Sequence, residues 1–87
     1  MFSIDSFLLI DVRSEDEFNE RSANGAINFD VELMKTGKLP KIEKDAMIGV
    51  FCRSGGRAAV ARQILIDAGW SSVQNLGGVD DVVGQGA

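Results

Sequence analysis

The segment Phe51-Cys52-Arg53-Ser54-Gly55-Gly56-Arg57-Ala58 holds the residues of this chain best suited to covalent chemistry. Cys52 is the only cysteine, and four residues, two of them glycines, separate it from Arg57. An apolar run at 47–51 leads in and a helical pattern at 58–68 leads out. A sulfur atom between a buried strand and a helix N-terminus sits where backbone N–H groups converge and the helix dipole is positive. Such a place stabilises a thiolate. An isolated free cysteine is most often a small buried hydrophobe. The flanking arginines and glycines move the reading to a nucleophile that receives an anionic substrate.

Composition limits how that nucleophile could be activated. The chain has no histidine, which excludes Cys–His and Ser–His–Asp mechanisms and removes the commonest nitrogen ligand for zinc. No metal or other cofactor is expected. A single cysteine excludes an internal disulfide and any CxxC pair. Activation must come from backbone dipoles and arginines. The net charge of -4 argues against nucleic acid as a partner, so an anion has to be captured by a local cradle. No apolar run approaches the roughly twenty residues of a membrane-spanning helix, and no membrane partner is expected. Residues 1–10 lack the basic start and apolar stretch of a signal peptide. Two readings fit that observation: a cytoplasmic protein, or a chain that has lost a signal ahead of this sequence.

The elements that position the loop follow from local pattern. Eighty-seven residues make one domain, 1–87, with a core at about 7–83. Residues 7–12 (FLLIDV) form a short buried strand. Ser14 and Glu17 match a capping box, which starts a helix running to about residue 21. Asn24-Gly25 is a turn and 26–29 a second strand. Asp30 caps a short helix at 31–35, and 36–44, with Gly37 and Pro40, is a loop. After the strand at 47–51, Val60, Ala61, Ile64, Leu65 and Ala68 repeat at helical spacing as one apolar face. Residues 72–76 are a fourth strand, Gly77-Gly78 a turn, 79–83 a helical turn, and 84–87 a frayed tail. Strands alternating with helices predict an α/β fold with a small, mostly parallel sheet flanked by helices. Sites in such sheets lie beyond the carboxyl ends of the strands, where Cys52 falls.

The residues, in this order, resemble the rhodanese (sulfurtransferase) family over nearly the whole chain. Leu9-Ile10-Asp11-Val12-Arg13 looks like its first signature, followed by an acidic helix with Glu17-Phe18. Gly25-Ala26-Ile27-Asn28 looks like the second, Cys52 to Arg57 like the six-residue active-site loop, and Asn75-Leu76-Gly77-Gly78-Val79 like the closing glycine turn. The likeness is greatest to the short, single-domain phage-shock-protein E type of thiosulfate sulfurtransferase, and for a chain that has lost a signal this resemblance implies the periplasm. Where many members carry Gly-His-Ile, this chain has Arg21-Ser22-Ala23, which puts local packing in question. The usual N-terminal strand and helix are missing, so one side of the sheet is less covered.

The resemblance implies a rhodanese-like fold and a two-step transfer. The Cys52 thiolate takes the sulfane sulfur of thiosulfate, releases sulfite, and passes the sulfur to cyanide, a thiol or an acceptor protein. Gly55 and Gly56 would let successive N–H groups, with that of Ser54, point at the sulfur. Arg53 and Arg57 would offer forked donors to a sulfonate. Arg53 is equally well read as a solvated side chain. Arg57, at a helix start, needs a compensating anion or acid. Asp11 and Arg13 would support the site, as a structural ion pair more readily than by direct catalysis. Trp70 and Phe51 are read as core, and Glu15, Asp16 and Glu17 as helix-start acids. A cysteine phosphatase or arsenate reductase shares this fold but places five residues between Cys and Arg. A rhodanese-like binding module usually lacks the cysteine or the loop glycines.

Overall fold

The computed structural model describes residues 3–87. Eight elements follow a single turn of 3-10 helix at Ile4–Ser6: β1 (Leu8–Asp11), α1 (Glu15–Glu20), β2 (Ile27–Asn28), α2 (Val31–Lys35), β3 (Met47–Cys52), α3 (Gly56–Asp67), β4 (Ser72–Gly78) and α4 (Val79–Gly84). The four strands form one parallel sheet in the order β2-β1-β3-β4. This is the α/β architecture the pattern predicts.

Strand alternation sorts the core into two layers. Ile10 of β1 and Val12 just beyond it, and Ile48, Val50 and Cys52 on β3, pack with Val31 and Met34 of α2 and Ala58, Ala61 and Leu65 of α3. Leu9 and Phe51 point the other way and pack with Ile4, Val79 and Val82. Position 49 falls on that second face and is glycine, where Leu76 and the Cβ of Phe7 occupy the space a side chain would need. Phe51 and Trp70 are both buried.

Local signals place the helices. Ser14 caps α1 with its full capping box: Glu17 N–H donates to Ser14 Oγ at 3.2 Å, and Ser14 N–H to Glu17 Oε1 at 3.3 Å. Asp30 Oδ1 accepts from Glu32 N–H at 2.9 Å and starts α2 over the expected residues.

Elsewhere the boundaries move for identifiable reasons. The strand at 47–51 runs on to Cys52, and the helix after it starts at Gly56, so only Arg53, Ser54 and Gly55 lie between them. Val60 is exposed, not part of the apolar face. The buried face is Ala58, Ala61 and Leu65, and Val60 is turned about 130° from its centre at 3.6 residues per turn. Gly77-Gly78 is no separate turn. Both residues end β4, and α4 begins directly at Val79. Residues 84–87 are not frayed: Ala87 accepts a hydrogen bond from Asn24 N–H at 3.2 Å, donates to Val82 O at 3.3 Å and packs on the second core layer.

Candidate active site

Cys52 ends β3 at 1% exposure, with its Sγ enclosed by the loop that follows. Gly55 N–H donates to Sγ at 3.0 Å and Ala58 N–H at 3.4 Å. So tight a turn from strand to helix requires the left-handed backbone of Gly55, φ 97°, which serves as N-cap of α3. Burial pushes the Cys52 thiol up, but the N–H groups of Ala58, Ser54, Gly55 and Arg57 outweigh it and hold the thiol below its ordinary value. Gly56 differs from Gly55. Its φ is not positive, and a Cβ there would meet open space.

β4 clamps the loop from the side. A register shift after Val50 sets Gly78 opposite Cys52. A side chain on Gly78 would overlap the Arg53 carbonyl, so only glycine lets β4 approach this closely. Asn75 donates from Nδ2 to Gly55 O at 3.0 Å and accepts from Gly77 N–H at 2.9 Å. Asp81 accepts from Gly78 N–H at 2.8 Å. Sequence reasoning gave Asn75 no task. Its signal was an Asx-type turn, an asparagine two residues before a glycine with φ 90°.

The two loop arginines have different surroundings. Arg57 meets Glu17 of α1 fork to fork, Nη1–Oε1 2.7 Å and Nη2–Oε2 3.1 Å. The Arg57 guanidinium, with help from Ser14, holds the Glu17 carboxyl down to about 2 against a partial desolvation penalty. Glu17 in turn raises Arg57. The acid that a cation at this helix start needs is therefore Glu17, which the sequence presented only as a helix-start residue. Arg53 is exposed, with no side-chain hydrogen bond or ion pair among the described residues. It borders a cleft of about 190 Å³ shared with Arg13, Glu17, Arg21 and Asp80. Ser54 is exposed beside it.

Asp11 and Arg13 form a buried ion pair at the end of β1. Asp11 Oδ1 accepts from Arg13 N–H at 3.0 Å and Nε at 3.0 Å, and Oδ2 accepts from Nη2 at 2.8 Å and from Ser22 Oγ at 2.8 Å. Arg13 Nη2 also donates to the Arg21 carbonyl. Ser22, standing where the resemblance expects histidine, thus ties residues 21–22 to β1. Neither Asp11 nor Arg13 is hydrogen-bonded to Cys52 among the described residues.

Comparison with known proteins gives a consistent picture. The model of the rhodanese-like domain matches residues 1–84. The chain is 30% identical over 74 residues to the thiosulfate sulfurtransferase PspE of Escherichia coli, covering 84% of this chain and 71% of that protein. It is 35% identical over 78 residues to the adenylyltransferase and sulfurtransferase of Meyerozyma guilliermondii, covering 82% of this chain but only 18% of that much longer protein. Among solved structures, a rhodanese with anions from E. coli superposes with a TM-score of 0.72 at 28% identity, over 85% of this chain and 88% of that one.

Proposed function

The chain belongs to the rhodanese-like domain family, and from that premise we propose that it is an enzyme moving the sulfane sulfur of thiosulfate to a thiol or cyanide through a persulfide on Cys52. Its relatives include sulfurtransferases. The observation that carries the reading is the ring of N–H donors on Cys52 Sγ, which favours the thiolate over the thiol.

In the first step the thiolate attacks the outer sulfur of thiosulfate. The new Cys52 S–S bond forms as the S–S bond of thiosulfate breaks, and sulfite departs with the electron pair. In the second step cyanide or a thiolate attacks the outer sulfur and leaves with it, returning the Cys52 thiolate. This covalent route splits one transfer into two displacements. The same N–H groups of 54–58 would hold the negative sulfur in both states, much as an oxyanion hole holds oxygen. Arg53, next to Cys52 in the chain and without a side-chain partner among the described residues, is the freer of the two arginines to meet the sulfonate. Arg57, Ser54, Gly55 and Gly56 act through their backbone at the cradle, and Asp11 with Arg13 braces the end of β1.

The short loop favours sulfur over phosphate. Four residues between Cys52 and Arg57 make a ring fitted to one sulfur atom, smaller than phosphate or arsenate requires. A protein acceptor is a further option for the second step, since one relative unites sulfurtransferase with adenylyltransferase in its name.

Intact mass spectrometry after incubation with thiosulfate tests the reading. A gain of one sulfur atom, absent in Cys52→Ser, is the expected result. No adduct together with hydrolysis of an aryl phosphate would turn the reading to a phosphatase. Silence in both assays would leave a binding module.

A further inference from the structure

Glu17 and Arg57 lie 40 positions apart, yet they meet through both nitrogens and both oxygens. Arg57 occupies the first turn of α3, where the helix dipole already supplies positive potential. Its backbone N–H is one of the groups that hold Cys52 down. Its guanidinium also feels the Cys52 charge. Left alone, that guanidinium would give the mouth of the site a second full positive charge beside Arg53. Glu17 cancels it.

The fold of α1 does not need that charge. The capping box asks only for an acceptor at the third helical position, and glutamine serves there as well as glutamate. The other arginines around the mouth are paired separately, Arg13 with Asp11 and Arg21 with Asp80, and Glu20 adds an exposed carboxylate to the same cleft. Arg53 is thus the one arginine at the mouth whose side chain has no partner among the described residues. Of the arginines among the described residues, a donor approaching Cys52 meets one that is free, Arg53, and one that is neutralised, Arg57.

We propose that Glu17 is a specificity-determining residue that sets the charge of the sulfur donor: by holding Arg57 it weakens capture of dianions such as thiosulfate relative to mono-anions such as an alkanethiosulfonate. The donor class rests on the sulfurtransferase reading, whereas the anion preference can be measured without turnover. Sulfate and methanesulfonate are inert anions of similar shape and different charge. Each is titrated into the full chain at constant ionic strength, and the backbone amide resonances of residues 53–58 are followed by NMR. In Glu17→Gln, sulfate is expected to bind about fivefold tighter, the size of one partly exposed charge contact. Methanesulfonate should gain about twofold or less, since half the anion charge feels the change. The double variant Glu17→Gln/Arg57→Gln should return the sulfate affinity to near the wild-type level, which a merely structural role for Glu17 would not produce.

An unchanged ratio of the two affinities in Glu17→Gln overturns the proposal, as does sulfate that fails to move these amides in either protein. The same spectra report folding. Should Glu17→Gln lose the native spectrum, Glu17→Asp, which keeps the charge but draws it back, must shift the ratio in the same direction or the proposal falls. The outcome is separable from the sulfur-gain experiment: a shifted ratio without a persulfide leaves the anion preference standing and removes only the transferase.

Discussion

Asp11–Arg13 and Glu17–Arg57 are both carboxylate–guanidinium pairs near the ends of strands, and they differ in almost everything else. Asp11 is fully buried and its oxygens accept from the backbone and side chain of Arg13 and from Ser22. Its partner is two residues away in the chain. The Arg57 and Glu17 side chains are 38% and 30% exposed, and the two residues come from different helices. Removing one member of a buried pair strands an uncompensated charge, whereas an exposed pair gives its partner back to water. The first pair therefore holds the molecule together, and the second is free to be tuned by function.

The largest expected effect is on the buried side. Asp11→Ala should lower unfolding stability by about 3–5 kcal/mol in urea titration, because Arg13 is left buried without its anion. A loss as small as that from Glu17→Gln would erase the distinction between the pairs. Within the loop the same division separates the two glycines. Gly55→Ala should cost about 1–2 kcal/mol, the strain of a left-handed residue carrying a Cβ. Gly56→Ala should be neutral or stabilising by up to roughly 1 kcal/mol, since alanine suits a helix better and meets no neighbour. Arg57→Ala should cost under about 1 kcal/mol of stability. Its thiosulfate kcat/KM should nonetheless fall about tenfold, because a bare Glu17 carboxylate then faces the anion. Equal loss of folding and turnover would return Arg57 to a purely structural place.

The smallest effect is a pH dependence. Glu17 titrates at about 2 when folded against 4.5 when free, so its pair adds stability above the unfolded value and loses it as pH falls between the two. The gap in denaturation midpoint between wild type and Glu17→Gln should be full at neutral pH and close as pH drops from 4.5 toward 2. A gap that stays constant through that window would place the variant's effect outside the ion pair.

What could be read from the sequence was local. Asp30 before Val31–Lys35, and Ser14 with Glu17, are signals whose partners lie within a single turn, so caps and helix starts were legible. The second partner of Glu17 was not, because it depends on α1 and the start of α3 meeting in space. The cysteine loop was legible from its residue types. The need for Gly78 was not, since it arises from a register shift between Val50 and Cys52 that brings β4 against the Arg53 carbonyl. Val60 misled for a related reason. Its spacing fits a helical face, but where that face is centred is decided by the sheet beneath it.

The near-complete enclosure of Cys52 bears on which atom an incoming nucleophile can strike. On the proposed route, a sulfur loaded on Cys52 would extend about 2 Å beyond Sγ. An acceptor thiol would then encounter the cargo sulfur first, while attack on Sγ itself, which would expel hydrosulfide and leave a mixed disulfide, would be hindered by the enclosing loop. Burial of the Cys52 sulfur would thereby act as regiochemical control, keeping the proposed cycle from ending in a dead-end adduct.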